Sequence, residues 1–329
     1  MTNDNVQRVL ITGVTGFIGH HLAVHYLEKG HEVTGIDIKF GEESFAGLRL
    51  IQLKKYPNFS LSSIDLRIKS ALEKFMSGRS FDLVIHLAAR TGVLPSSLEY
   101  EDYITTNILA SAHLFELASS VGIPIIYASS SSVYGESKFE YFSETDPVEK
   151  PVSIYAMTKM SCENLAYHYA TKNASPIYGL RFFTVYGPYN RQDMAIYKFM
   201  DAILNGKEIV LYNKGEMYRD FTYVSDIVKG IFLVGGLLLE NKINQVSETF
   251  NIGYGETHKV SEVIGHLEEH LGKNARIVFK ERYSEDVLRT QASTKKLSNA
   301  VHFKPVVGLK EGLEYTCHWF IKHHHPAHV

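Results

Sequence analysis

Short apolar runs alternate with longer stretches in which apolar residues recur every three to four positions, and this rhythm holds over the first half of the chain. Residues 9–12 read as a short buried strand. Residues 16–29 follow as a helix with Gly30 as its stop, and 31–36 as a second strand ending at Asp37. Further strands are expected at 59–64, 81–87, 123–128 and 177–181, with helices between them, notably over 103–121 and 155–172. Such alternation predicts an α/β fold, a Rossmann-type doubly wound parallel sheet with helices on both faces. After Phe183 the rhythm loosens. Segments 194–204, 208–212 and 260–271 do not extend the repeat and are expected to build a smaller, interleaved C-terminal lobe. The division read from the pattern is 1–182 for the sheet domain, which also receives segments near 222–255, and 183–329 mainly for the lobe.

Composition narrows the class without changing that picture. The chain has 329 residues, 45% hydrophobic and 21% charged, which suits a soluble globular protein of one large unit with an added lobe. A formal charge of −2 and the lack of a basic run argue against a nucleic-acid partner or a membrane surface. The longest apolar stretch, 231–239, is roughly half of what a bilayer crossing needs. Cys162 and Cys317 are the only cysteines and lie far apart, so neither a disulfide framework nor a thiolate metal site is expected, which fits a reducing cytoplasm.

Chemistry enters at the end of the first strand. Gly13-Val14-Thr15-Gly16-Phe17-Ile18-Gly19 opens the first helix in the spacing GxxGxxG. Glycines there permit a tight turn, a close backbone approach to a pyrophosphate, and close helix–strand packing, while the helix N-terminus offers free N–H groups to the anion. Asp37 ends the second strand, near the offset of about 20 residues at which a carboxylate meets an adenosine ribose. A carboxylate there repels a 2′-phosphate, so NAD is expected rather than NADP. Asp65 and Leu66 follow the third strand, and Leu87, Ala88 and Ala89 the fourth, at the sheet edge where ligands of such folds bind.

A second group of residues suits proton transfer. Tyr155 and Lys159 are four apart at the start of a helix and share a face. An ordinary phenol keeps its proton at neutral pH; a lysine charge one turn away favours the phenolate, which makes Tyr155 a candidate general base. Tyr134 and Lys138 repeat the spacing, but beside Gly135 in a turn, where the two need not share a face. The run Ser129-Ser130-Ser131-Ser132 follows the fifth strand and places a hydroxyl where it can bond a reacting oxygen.

Together these features resemble the extended short-chain dehydrogenase/reductase family of nucleotide-sugar epimerases and dehydratases, over nearly the whole chain. Segments RFFTVYGPYNRQDMA, from Arg181, and MYRDFTYVSDI, from Met217, look most like UDP-glucuronate 4-epimerases. The resemblance implies catalytic roles for Tyr155, Lys159 and Ser130, with Ser129, Asn107 and Phe183 on the cofactor side. It implies Ser131 and Ser132 beside the sugar, Arg219 on the UDP pyrophosphate, and Asp286 and Arg289 near the nucleotide. The acidic residue usual after Ala292 is Ser293 here, which bears on that last segment.

Dehydratases of the family carry Asp-Glu where this chain has Ser131 and Ser132, so epimerisation is the expected reaction. Thr184 and Arg191 resemble the hydroxyl and cation that hold a uronate carboxylate, a task suited to the guanidinium fork. Arg90, after the fourth strand, is a rival for that task. UDP-glucuronate and UDP-galacturonate are thus the expected pair. Neutral or N-acetylated UDP-hexoses, oxidative decarboxylation to a pentose, and an idle NAD-binding scaffold remain as alternatives. The resemblance also implies a homodimer built on helices 103–121 and 155–172. No metal site is expected: His21 and His25 share a helical face without a third ligand, His323, His324, His325 and His328 belong to the terminus, and Trp319 is expected to anchor the last helix.

Overall fold

A computed structural model describes residues 6–38, 45–92, 96–135, 141–240, 245–281 and 288–323. Seven strands form the central sheet: β1 (Arg8–Thr12), β2 (Glu32–Asp37), β3 (Phe59–Ser63), β4 (Leu83–His86), β5 (Ile125–Ser130), β6 (Ile177–Phe182) and, later in the chain, β11 (Ser247–Ile252). Their order is β11-β6-β5-β4-β1-β2-β3, and every pairing is parallel. Residues 9–12 are buried on both faces, as expected of a strand with helices above and below it. The expected strands all form, with ends shifted by a few residues.

One face of the sheet is covered by α1 (Phe17–Glu28) and α7 (Val224–Leu239), whose apolar residues share a core with Val9, Ile11 and Ile126. The other face carries α3 (Lys69–Met76), α4 (Ala110–Ser120) and α5 (Ile154–Asn173) over Leu10, Val84 and Ile125. A separate core joins α6 (Ala195–Asn205), α8 (Val260–Leu271) and α10 (Leu309–His323) through Met200, Ile264 and Leu313. Besides these, α2 (Phe45–Leu53) lies against α1, and α9 (Lys295–Val301) against α7. Small pairs complete the second core region: β13 (Arg276–Lys280) with β8 (Glu208–Tyr212), and β12 (His258–Lys259) and β14 (Arg289–Thr290) with β9 (Tyr218–Arg219). A short parallel pair, β7 (Thr184–Tyr186) with β10 (Phe221–Tyr223), leads from the sheet into it. No helix among the described residues is long and apolar enough to cross a membrane.

One expectation needs correcting. The helix expected over 103–121 begins with a single turn, Tyr100–Tyr103, widens into a π-helical turn over Ile104–Leu109, and only then continues as α4. Within the wide turn, the Asn107 carbonyl accepts hydrogen bonds from the Ser111 hydroxyl at 2.5 Å and the Cys162 thiol at 3.2 Å. Only the polar Asn107 is buried in this turn while Ile104 and Leu109 are exposed, so the apolar pattern does not mark it.

Two histidines inside the fold are held neutral. His20 is bonded to Gln52 at 2.9 Å, and burial, aided by the neighbouring His21, pushes it down to about 3. His86 is likewise pushed down to about 3 by burial and by the Lys159 charge. The Ser111 hydroxyl gives its proton to Asn107, so it accepts from His86 Nε2 at 2.9 Å; Nδ1 then accepts from Thr12 at 2.7 Å. Both folded-state values lie below the ordinary 6.5, so the unfolded chain binds more protons between pH 6.5 and about 3. Stability is therefore full above that range and falls as pH drops, by about 1.4 kcal/mol per pH unit for each histidine. Urea denaturation from pH 7 to 5 checks this, and His86→Asn should flatten the slope.

Candidate active site

Order reverses in the sheet between β1, whose successors run one way, and β4, whose successors run the other. Parallel sheets open a crevice at the carboxyl ends of strands at such a point. A cleft of about 490 Å³ lies there. Gly13, Leu87, Ser130 and Phe182–Phe183 line it from the ends of β1, β4, β5 and β6.

At one end of the cleft is the glycine turn. Gly13 has φ +69°, a region that favours glycine, and a Cβ added to it would lie 2.7 Å from the Ala88 backbone nitrogen. A Cβ on Gly19 would lie 2.2 Å from the Gly13 carbonyl oxygen, so only glycine lets α1 start this close to the turn. Gly16 is the N-cap of α1, has no side-chain hydrogen bond capping it, and lines the cleft with Phe17, Ile18 and Gly19. The uncapped N–H groups and the bare backbone of the turn match what a dinucleotide pyrophosphate requires. Leu87 and Ala89 line the cleft as well, whereas Ala88 uses its N–H on Thr12.

Asp37 stands behind the turn. One of its oxygens accepts from the Thr15 backbone N–H at 3.0 Å and the Thr15 hydroxyl at 2.6 Å, the other from Ile38 N–H at 2.8 Å. It braces the turn besides ending β2. Three other residues expected on the cofactor side are not among those lining the cleft. Asp65 is held by Arg67 at 2.7 Å, Leu66 is buried in the core, and Asn107 spends its amide on the Arg90 backbone and on Thr158 at 3.0 Å.

The proton-transfer candidates converge at the middle of the cleft. Ser153 caps α5 by accepting from Ala156 N–H at 3.1 Å, which starts the helix so that Tyr155 and Lys159 both line the cleft. Lys159 is 4% exposed, donates to the Ala128 carbonyl at 2.8 Å, and lies 5.9 Å from the Tyr155 ring centre. The Ser130 oxygen accepts from Ser132, through its N–H at 3.2 Å and its hydroxyl at 3.0 Å. Ser131, Ser132 and Phe183 join the same wall. Successive residues of a strand face opposite ways. Ser129 accordingly sends its hydroxyl away, to Glu163 at 2.5 Å.

Glu163 belongs to a buried network that the sequence did not single out. It pairs with Arg181 at 2.7 Å, the two side chains being 12% and 5% exposed. Arg181 also donates to the Tyr134 hydroxyl at 2.8 Å, and Tyr134 donates to Asn251 at 2.6 Å. Burial pushes the Tyr134 phenol up to about 12. Tyr134, the alternative tyrosine of the repeated spacing, thus supports the serine run from behind; Lys138 lies outside the described residues.

The cleft is also lined by Thr184, Arg191, Arg219 and Thr290. Arg191 pairs with Asp193 through Nε at 2.9 Å, and its other nitrogens reach Asp193 and Thr91. Asp220 is fully buried and accepts from Tyr254, Gly255 and Ala292 N–H groups and from Thr222. Its backbone bonds Thr184 and Thr290 at 3.0 Å each, so one residue sets two parts of this lining. Thr290 and Asp220 went unnoticed because their contacts join segments far apart in sequence. Arg90 is not brought here: Asp102, at 2.7 Å, and Glu99 hold its guanidinium outside the cleft. Arg289 bonds Gln291 at 2.7 Å and lies over Tyr218, beside rather than in the cleft. Asp286 is outside the described residues. His21 meets the Pro188 carbonyl at 2.9 Å, and His25 packs on Phe232.

The sequence profile of the NAD dependent epimerase/dehydratase family matches residues 9–253, which spans the glycine turn, the serine run and α5. The chain belongs to that family. A probable UDP-glucuronate 4-epimerase of Rhizobium meliloti is 33% identical, with 98% of this chain and 99% of the relative covered. A UDP-glucuronic acid 4-epimerase from Bacillus cereus, solved with UDP-glucuronic acid and NAD, is 32% identical, covers 96% of this chain and 99% of its own, and superposes with a TM-score of 0.86. A UDP-N-acetylglucosamine 4-epimerase from Methanobrevibacter ruminantium, solved with UDP-N-acetylmuramic acid, is 30% identical over 97% of this chain and 99% of its own, with a TM-score also of 0.86. Membership makes the protein an NAD-dependent enzyme, and the bare, uncapped turn at α1 fits that cofactor.

Proposed function

We propose that this family member interconverts UDP-glucuronate and UDP-galacturonate, inverting C4 through a 4-keto sugar. The observation that carries the reading is one cleft lined by Ser130, Tyr155 and Lys159 together with Thr184 and Arg191. NAD, when bound, would supply the hydride acceptor at C4; the 4-keto sugar turns over in the cleft, so that the hydride returns to its opposite face and C4 is inverted. Tyr155 removes the C4 hydroxyl proton, and Ser130 bonds the same oxygen and relays the proton. Lys159 is buried beside Tyr155, its ammonium 5.9 Å from the ring centre. The glycine turn with Gly13, Gly16 and Gly19 holds the pyrophosphate of the cofactor, and Asp37 its adenosine ribose. Ser131 and Ser132 offer hydroxyls, not the acid–base pair that elimination needs, so water stays on the sugar.

A 4-keto uronate loses CO2 when its carboxylate bond aligns with the carbonyl π system. Arg191 and Thr184 grip the carboxylate and keep it out of that alignment, and Arg219 binds the UDP phosphates. A second reading is supported by one contact: Asp193 already neutralises Arg191, which would let a neutral or N-acetylated UDP-hexose sit there without an unpaired buried cation.

Incubating the protein with several UDP-sugars and following products by NMR decides between these readings. UDP-galacturonate without CO2 is the expected product from UDP-glucuronate; a UDP-pentose, or turnover of neutral sugars alone, overturns the uronate reading. Tyr155→Phe should lower turnover by roughly 10²–10⁴-fold while NAD stays bound. Arg191→Ala should reduce kcat/KM for UDP-glucuronate by roughly ten- to a hundredfold, and change that for UDP-glucose little.

The working unit is proposed to be a homodimer of the cytoplasm. Leu98, Tyr100, Ile104, Leu109 and Tyr167 are apolar and exposed on the face formed by residues 98–120 and α5, a surface suited to a second copy. Cys162 and Cys317 are free and buried, as a reducing compartment allows. Sedimentation velocity should give twice the chain mass, and Tyr167→Glu with Leu109→Glu should give the single chain.

A further inference from the structure

Arg49 was singled out by no motif, and it is 5% exposed in α2. Its guanidinium donates from Nη1 to the Thr15 carbonyl at 2.7 Å and from Nη2 to the Tyr189 carbonyl at 2.8 Å. Thr15 lies within the glycine turn, and Tyr189 lies two residues before Arg191. A single side chain thus joins the glycine turn to the segment that leads into Arg191. Burying a cation against two carbonyls is costly: burial lowers its value to about 10, against the pull of Asp37. A core position asking only for packing would be filled more cheaply by an apolar residue.

Both ends of this link are constrained. Thr15 gives its N–H and hydroxyl to Asp37, so the peptide that Arg49 grips is already fixed on its other side. Tyr189 has φ +59°, a strained conformation for a residue with a Cβ, and needs its surroundings to keep it there. His20 at 5.0 Å and Trp319 at 4.8 Å flank its ring, and His21 meets the preceding carbonyl at 2.9 Å. Asn190 and Arg191, which follow directly, line the cleft.

We propose that Arg49 is a positioning residue that fastens the Arg191 loop to the glycine turn, so that ordering either one by its ligand favours order in the other. The inference rests on the reading of Arg191 as a sugar ligand. Coupling of this kind is reciprocal, and a factor of about ten in affinity is typical of it.

Hydrogen–deuterium exchange on the NAD-loaded protein tests it, with UDP-glucuronate as the probe. In the wild type, the probe should slow exchange at 187–191 and also at 13–16. In Arg49→Met the protection at 13–16 should vanish, and KM should rise about tenfold or more while kcat at saturation changes less than twofold. Arg49→Lys reaches only one of the two carbonyls and should fall between; it carries the test if Arg49→Met does not fold. Protection confined to 187–191 in the wild type, or both segments still protected with unchanged KM in the variants, overturns the coupling. No protection at all in the wild type overturns instead the uronate reading beneath it.

Discussion

Helix α1 begins where the Gly13 carbonyl and Gly19 meet with no room for a side chain between them. That steric limit sets how close α1 lies to β1, and with it the width of the crevice at the sheet edge. A methyl group on Gly13 would meet the Ala88 backbone and one on Gly19 the Gly13 carbonyl, so either would force the turn and the helix apart from their neighbours. Small residues here act by absence of atoms, and the other contacts of the site are arranged around the space they leave. Asp37, Thr15 and the N-terminus of α1 all take their places from that one approach.

Beneath the cleft lies a second layer made of polar groups rather than hydrocarbon. Glu163 and Arg181 hold Ser129 and Tyr134, and so support the backbone that carries Ser130. Asn107 clamps the Arg90 backbone from both sides and reaches Thr158, one residue before Lys159. Asp220 does the equivalent around Thr184 and Thr290. Each of these groups is buried and satisfied, a state in which polar contacts rigidify their surroundings; leaving one partner alone would be strongly destabilising. Residues that point into the cleft are therefore held by residues that never enter it.

Much of this was legible in the sequence where the signal is local. The glycine turn, Asp37, the serine run, and Tyr155 with Lys159 each depend on spacings of a few residues, and the structure gathers all but Asp37 along one cleft. The family resemblance carried Thr184, Arg191 and Arg219 to the same cleft. Contacts between distant segments were not legible. Glu163 and Arg181 are an ion pair only because β6 returns beside α5, and Arg49 finds backbone carbonyls, which no pattern of side chains announces. Arg90 and Asp65 do not line the cleft, and the pairs they make with Asp102 and Arg67 were not legible either. The π-helical turn at Ile104–Leu109 buries only the polar Asn107, so no apolar spacing announced it.

The seventh strand has a consequence for how the chain is made. β11 pairs with β6, yet Ser247–Ile252 comes only after the chain has left the sheet, formed β7 to β10 and α6, and returned through α7. During synthesis the first six strands emerge with β6 as an open parallel edge, and that edge stays uncovered until Ile252 leaves the ribosome. An unpaired edge invites pairing with another chain in the interval. A cost to any cut made between Phe182 and Ser247 follows from where that one strand falls along the polypeptide.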